Sequence, residues 1–333
     1  MKVVEWFSLK PILILLSVLV IAMVSFSLIS VPVAADDSAI ASGVGTWMGT
    51  KSYPTNIGGQ SCVVSGGYVY CVGGDIGVSP YETSAVYFAK LSSSGVGVWM
   101  GTKSYPITFD YGSCVVSGGY VYCVGGYSPN TSAVYFAKLS SSGVGTWKVT
   151  TSYPTTINDQ SCVASGSYIY CVGGWNGAPT SAVYYAKLSS GGVGTWKSTK
   201  NYPIGISYES CVVSGGYVYC VGGYTPFTSA VYFAKLSSSG VGTWKVTTSY
   251  PTTINDQSCV ASGGYVYCVG GDNGPTTFSA VYYAKLSSSG VAVWTVTTSY
   301  PTTVNYESCV VKGGYLYCVG GFGPGSAVYY AKL

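Results

Sequence analysis

The stretch Ser61-Cys-Val-Val-Ser-Gly-Gly-Tyr-Val-Tyr-Cys-Val-Gly-Gly74 decides the fold. Its pattern returns five more times, with first cysteines at 114, 162, 211, 259 and 309. Steps of 48 to 52 residues signal a repeat architecture, which takes precedence over any other reading. The copies are close: 144–171 and 241–268 differ only at Ser167/Gly264 and Ile169/Val266. Within the stretch, Ser61–Ser65 reads as one short strand and Tyr68–Val72 as the next. Gly66-Gly67 supplies the tight turn between them, because glycine accepts positive φ. Residues 84–91 read as a third strand, a Ser-Ser-Ser-Gly loop follows, and a fourth strand is centred on Trp99. Ser104-Tyr105-Pro106 leads into the next unit. Val, Tyr and Thr favour pleated surfaces, and helix-period apolar patterning is absent. Four strands repeated six times predict an all-β, six-bladed β-propeller, whose radial closure leaves only short edges.

Counting outward from Gly66-Gly67 places Ser65 opposite Tyr68, Val63 opposite Tyr70 and Cys62 opposite Cys71. Such a facing pair has Cα atoms about 4.5 Å apart, within reach of a disulfide. The same Cys-x8-Cys spacing pairs Cys114 with Cys123, Cys162 with Cys171, Cys211 with Cys220, Cys259 with Cys268, and Cys309 with Cys318. The expectation is six disulfides, one per unit; the alternative is twelve small buried thiols. Zinc does not fit, since eight intervening residues and the absence of His miss the usual ligand spacings.

Lys2 and Lys10 flank the start of a long apolar run, residues 11–29, followed by Val33-Ala34-Ala35 and two aspartates. Residues 1–35 therefore read as a secretory signal cleaved after Ala35, or as a retained transmembrane anchor, since the run is long enough to span a bilayer. Either way residues 36–333 are expected outside the cell, secreted or at the cell surface, where disulfides persist.

Composition excludes several functions. The 333 residues carry a formal net charge of +4 with only 8% charged residues, no His, and no Arg among the 15 basic residues. There is no Ser-His-Asp triad, no His-ligated metal and no guanidinium clamp for phosphate. Scattered lysines make no nucleic-acid footprint.

The unit resembles a kelch repeat: an apolar strand ending in Gly-Gly, then a spaced Tyr, then a spaced Trp. The doublets are Gly73-Gly74 and its counterparts at 125, 173, 222, 270 and 320. The tyrosines are 87, 135, 184, 232, 282 and 329, and the tryptophans 99, 147, 196, 244 and 294, with Trp47 ahead of the first doublet. The Arg and His that often precede the first strand of a kelch unit are missing, so functions depending on them do not carry over. The last unit stops at Leu333 without a Trp. The resemblance implies that the strand around Trp47 completes it, a three-plus-one closure across the termini. Recurrent Trp and Tyr are then blade core, and Lys90, Lys138, Lys187, Lys235, Lys285 and Lys332 solvated strand ends.

The connections fall on two faces. The hairpin turns and Ser-rich loops barely vary. The loops after Gly-Gly and those before the first strand vary strongly, as loops specialised for binding do, although solvent loops also drift. The variable segments hold the candidate ligand-binding residues: Phe109, Asp110, Tyr111, Tyr127, Asn158, Asp159, Gln160, Trp175, Asn176, Tyr208, Glu209, Tyr224, Phe227, Asp256, Tyr306 and Glu307. Rings with carboxylates and amides suit sugar hydroxyls and peptide backbones. Asp110, Asp159, Glu209, Asp256 and Glu307 occupy similar places in five units and would ring the channel mouth, attracting a cation. Gly58 and Gly59 leave that ring incomplete, so no metal or cofactor is assigned. Asn130-Thr131-Ser132 fits an N-glycosylation acceptor in an exposed loop.

The leading expectation is a non-catalytic binding or adhesion module for a glycan or protein partner. A structural surface coat is the alternative, favoured by near-identical units and low charge. Kelch-like copper oxidases need His and sialidase-type propellers need Arg. A sugar-epimerising or mutarotating enzyme, with Glu209 and Glu307 as acid and base, is the least favoured reading.

Overall fold

The computed structural model describes residues 43–127 and 130–333. The expected signal or anchor in 1–35 lies outside these residues. Among the described residues no helix is long and apolar enough to cross a membrane.

Six antiparallel sheets form the blades of a propeller, at residues 61–101, 113–149, 161–198, 210–246, 258–297 and 308–332. In the first blade Ser61–Ser65 lies innermost, Tyr68–Val72 second and Val86–Ser92 third. The predicted register holds: Ser65 opposes Tyr68, Val63 opposes Tyr70 and Cys62 opposes Cys71. The fourth strand differs from the simple expectation. It is split into Gly95–Val96 and Met100–Gly101, both paired with the third strand. Trp99 falls in the break, where its Nε1 donates to the Lys51 carbonyl at 3.1 Å and its ring meets Tyr53 edge-on at 4.9 Å. The same Trp–Tyr contact at 4.9 Å recurs at all six blade junctions.

Closure follows the three-plus-one scheme. Met48–Gly49 pairs with Val328–Lys332 and supplies the outer strand of the sixth blade. Val44 inserts between the fifth and sixth blades, 3% exposed.

The core is not one central mass. Apolar clusters fill each of the six junctions between neighbouring blades, because both faces of every sheet are covered. Polar staples accompany them. Ser61, Ser113, Ser161, Ser210, Ser258 and Ser308 each accept, through Oγ, the N–H of the first cysteine of the next blade around the ring. Tyr70 donates its hydroxyl to the Ser140 carbonyl of the next blade, an arrangement repeated by Tyr122, Tyr170, Tyr219 and Tyr317.

All six disulfides form within blades, with Cα atoms 4.0 Å apart. Six structural disulfides point to an oxidising, extracellular environment.

A candidate ligand cleft on the variable loop face

The two variable segments of each unit are joined to one another. The residue after the Gly-Gly doublet pairs, backbone to backbone, with the residue four before the first cysteine: Asp75 with Gly58, Trp175 with Asn158, Tyr224 with Ser207, Asp272 with Asn255 and Phe322 with Asn305. In the second blade the Tyr127 N–H donates to the Asp110 carbonyl at 3.0 Å. Each blade thereby presents one two-stranded tip, and the chemistry of the face is set by what the tip carries.

One residue closer to the cysteine, the chain turns left-handed in every blade. Gly59, Tyr111, Asp159, Tyr208, Asp256 and Tyr306 have φ between 51° and 66°. Only Gly59 takes this conformation without a Cβ penalty. A closed circle of backbone hydrogen bonds compensates for it. The N–H of Tyr111 donates to the Gly59 carbonyl, Asp159 to Tyr111, Tyr208 to Asp159, Asp256 to Tyr208, Tyr306 to Asp256, and Gly59 to Tyr306, at 2.8 to 3.2 Å. This circle constricts the mouth of the central channel. Tyr306 stands over it, edge-on to Tyr111 at 5.2 Å and to Tyr208 at 6.2 Å. The side chains alternate: the Tyr208 hydroxyl bonds to Asp159, and the Tyr306 hydroxyl to Asp256. Tyr111 leans over Gly59, where a Cβ would sit 2.9 Å from its ring.

The next position inward alternates too. Gln60, Gln160 and Gln257 are buried, and each Nε2 donates to a valine carbonyl of the preceding blade at 2.7 to 2.8 Å. In the even blades this position holds Gly112, Glu209 and Glu307. Phe109 fills the slot left by Gly112: its ring would lie 2.3 Å from a Cβ there. Glu209 and Glu307 put Oε1 where the glutamines put Nε2, beside the Gly-Gly doublet, and neither carboxyl oxygen of either residue finds a hydrogen-bond partner. Burial pushes Glu307 up to about 8 and Glu209 well above the usual carboxylate range. Nearby backbone N–H groups, their own and those of Ser258 and Ser161, favour the anion only weakly, since none reaches good geometry.

This pair carries a pH dependence with a definite sign. Between the unfolded carboxyl value of about 4.3 and the raised folded value, the folded state holds a proton that the unfolded state has lost. Stability from these groups is therefore full at low pH and falls as pH rises toward 8. Glutamine at either position would donate to the facing carbonyl at any pH. Glu307→Gln is expected to raise stability by about 2–4 kcal/mol at pH 8, with the gain shrinking toward zero below about pH 4.5. Urea midpoints of parent and variant across this range check it; a gain independent of pH would contradict the neutral-acid assignment.

The five acids therefore do not make one ring. Asp110 lies four residues before its cysteine and is buried beneath the tip; Asp159 and Asp256 lie three before, at the mouth; Glu209 and Glu307 lie two before, between blades. The expected acidic circle forms only in part: Asp159, Glu209, Asp256 and Glu307 line one channel cavity of about 160 Å³ in two registers, and Asp110 is excluded from it. Among the described residues no cluster of three metal-ligating side chains occurs.

Half of the expected ligand residues do converge. Tyr111, Tyr127, Asn158, Asp159, Trp175, Tyr208, Tyr224 and Tyr306 line a cleft of about 410 Å³ over blades two to four, with Tyr306 reaching in from the sixth blade. Phe109 does not: it is fully buried, packed against Tyr105 at 4.7 Å as a core residue. Gln160, Glu209 and Glu307 are buried away from the cleft, Asn176 stays outside it, and Asp256 faces the opposite side of the mouth. Phe227 supports Tyr224 from behind, ring to ring at 5.1 Å. Asn130 is exposed beside the cleft and accepts the Asn158 amide at 2.6 Å. Sequence reading missed this partner, and also a second cavity of about 300 Å³ where Asp75–Val78 meets Phe322 between the first and last blades. Its signal was the loop after Gly74, the longest of the six.

No family model matches this chain, and no curated protein matches it. Among solved structures the chain is similar to one titled "Structure of YjhT", at 13% identity and a TM-score of 0.65, over 83% of this chain and 94% of that one. The likeness shows the fold, a six-bladed β-propeller.

Proposed function

We propose that this chain is an exported, non-catalytic binding or adhesion propeller that holds a glycan or protein partner on its variable loop face. The cleft over blades two to four carries the reading. It has the volume of a small-ligand site, six rings, one carboxyl and one amide, all on loops held by a rigid scaffold. The repeats agree elsewhere and differ here, which is where a specialised site would be placed. Glu209 and Glu307, the candidate acid and base of the enzymatic alternative, are buried between blades and do not line the cleft. The Gly-Gly, Tyr and Trp positions further support kelch-like blades, and the disulfides support export.

The test is retention. Residues 36–333 are screened against cell-wall glycans and surface proteins, together with Trp175→Ala and Tyr224→Ala. The expected result is a retained partner lost by at least about tenfold in affinity in either variant, as hot-spot aromatics behave. Binding untouched by both substitutions, or turnover of any sugar, would overturn the proposal.

A further inference from the structure

The acids among the described residues are gathered on one face. All eight described acids sit on the loop face: Asp75, Glu82 and Asp272 in the loops after the doublets, the other five in the segments before the first strands. Six exposed lysines, Lys90 and its equivalents, end the third strands on the opposite face, paired with the tyrosines that follow the hairpin turns. Lys312 lies there too. No cationic side chain lines the cleft, and Asp159 is its one carboxyl.

The cleft's own inventory narrows the ligand further. Its one amide and its one carboxyl are already engaged: the Asn158 amide donates to Asn130, and Asp159 accepts from Tyr208. What the cleft supplies is ring surface, from Tyr111, Tyr127, Trp175, Tyr208, Tyr224 and Tyr306, around one carboxyl. Ring faces attract cations through their quadrupole, and alkylated ammonium groups need faces and negative charge rather than donors and acceptors.

We infer that the cleft binds an alkylated ammonium group, caged by the rings of blades two to four and by Tyr306 of the sixth, with Asp159 as its counter-charge. This rests on the proposed binding role of the loop face and specifies the chemistry recognised there. Asp159 is suited to the task. Burial, with Asp110 adding to it, holds its carboxyl up at about 8, while the Tyr208 hydroxyl lowers it. Tyr111 and Asp256 also face this group. A seated cation would favour the carboxylate, so binding strengthens as pH rises and releases a proton near neutrality.

Calorimetry with choline and its uncharged isostere 3,3-dimethylbutan-1-ol tests this on residues 36–333. Choline is expected to bind at least about tenfold more tightly than the isostere, the scale of a desolvated cation–π cage. Asp159→Asn is expected to remove most of that preference and the rise in choline affinity from pH 6 to pH 9; Trp175→Ala should weaken choline by about tenfold. Circular dichroism and melting of each variant separate loss of the site from loss of the fold. Equal affinity for both probes overturns the ammonium assignment and leaves the cleft as a binding site of other chemistry. Binding of neither probe, while a glycan or protein is retained on the same face, overturns it and leaves the proposed function standing.

Discussion

Deleting residues 43–52 is expected to destabilise the whole propeller, not to trim one edge. The segment contributes one outer strand of the sixth blade, through Met48–Gly49 against Tyr330 and Tyr329. It also fills the junction with the fifth blade. Val44 is buried there, its N–H donates to Thr297 Oγ1 at 2.8 Å, and Trp47 packs on Tyr300 while donating to the Thr298 carbonyl. On the other side, Thr50 exchanges hydrogen bonds with Val96 of the first blade. Burial of Val44 and of part of Trp47 contributes roughly 2–4 kcal/mol, and the lost staples add to it. Against a typical global stability of about 5–15 kcal/mol, the loss is large. Because every blade is buried between two neighbours, an opened ring exposes apolar surface at both ends of the break. The melting temperature should fall by about 10 °C or more, measured by calorimetry, and a synthetic peptide of residues 43–52 should restore part of it. A variant melting within about 2 °C of the parent would show that the closure contributes nothing.

The second large effect concerns the disulfides. Each bridge closes a loop with a sequence separation of nine, for which the chain-entropy model gives roughly 2–3 kcal/mol. Six such contributions together are comparable to the full stability of an ordinary domain. The second cysteine of each pair is fully buried and the first nearly so, so the folded protein should resist reductant. Unfolded, reduced and returned to native buffer with reductant present, it should stay unfolded, with flat near-ultraviolet circular dichroism from its many tyrosines. Replacing a single pair, Cys162 and Cys171, by alanine should cost about 2–3 kcal/mol and leave the ring assembled. Recovery of a cooperative transition by the fully reduced chain would place the stability in the blade junctions instead.

The architecture was legible because every feature that sets it is written six times. Gly66-Gly67 fixes the hairpin, the hairpin fixes the register, and the register places Cys62 on Cys71. The closure was legible from a Trp present at one end and missing at the other. The split of the fourth strand was not, since Trp99 reads as a strand residue until its ring is seen turned into the junction. The site was half legible. Loop variability picked out the face that carries the cleft and eight of its lining residues, but it could not separate residues that face outward from those that face a neighbouring blade. Phe109 illustrates the difficulty. An aromatic in a variable loop reads as a ligand contact, yet its variation is a packing exchange with Gly112, and the pair fills the volume that Ile157 and Gln160 fill one blade on. The acids misled for a related reason: side chains one and two residues apart in a left-handed turn point to a mouth, a core and a junction.

The alternation at the mouth has a consequence for how such a ring can change size. Odd blades carry Gly59-Gln60, Asp159-Gln160 and Asp256-Gln257; even blades carry Tyr111-Gly112, Tyr208-Glu209 and Tyr306-Glu307. The structural unit at the mouth is accordingly a couplet, in which a tyrosine reaches back to the residue of its predecessor. Inserting or losing one blade would break parity, setting two phenols or two carboxyls side by side. The ring keeps its pattern only with an even number of blades.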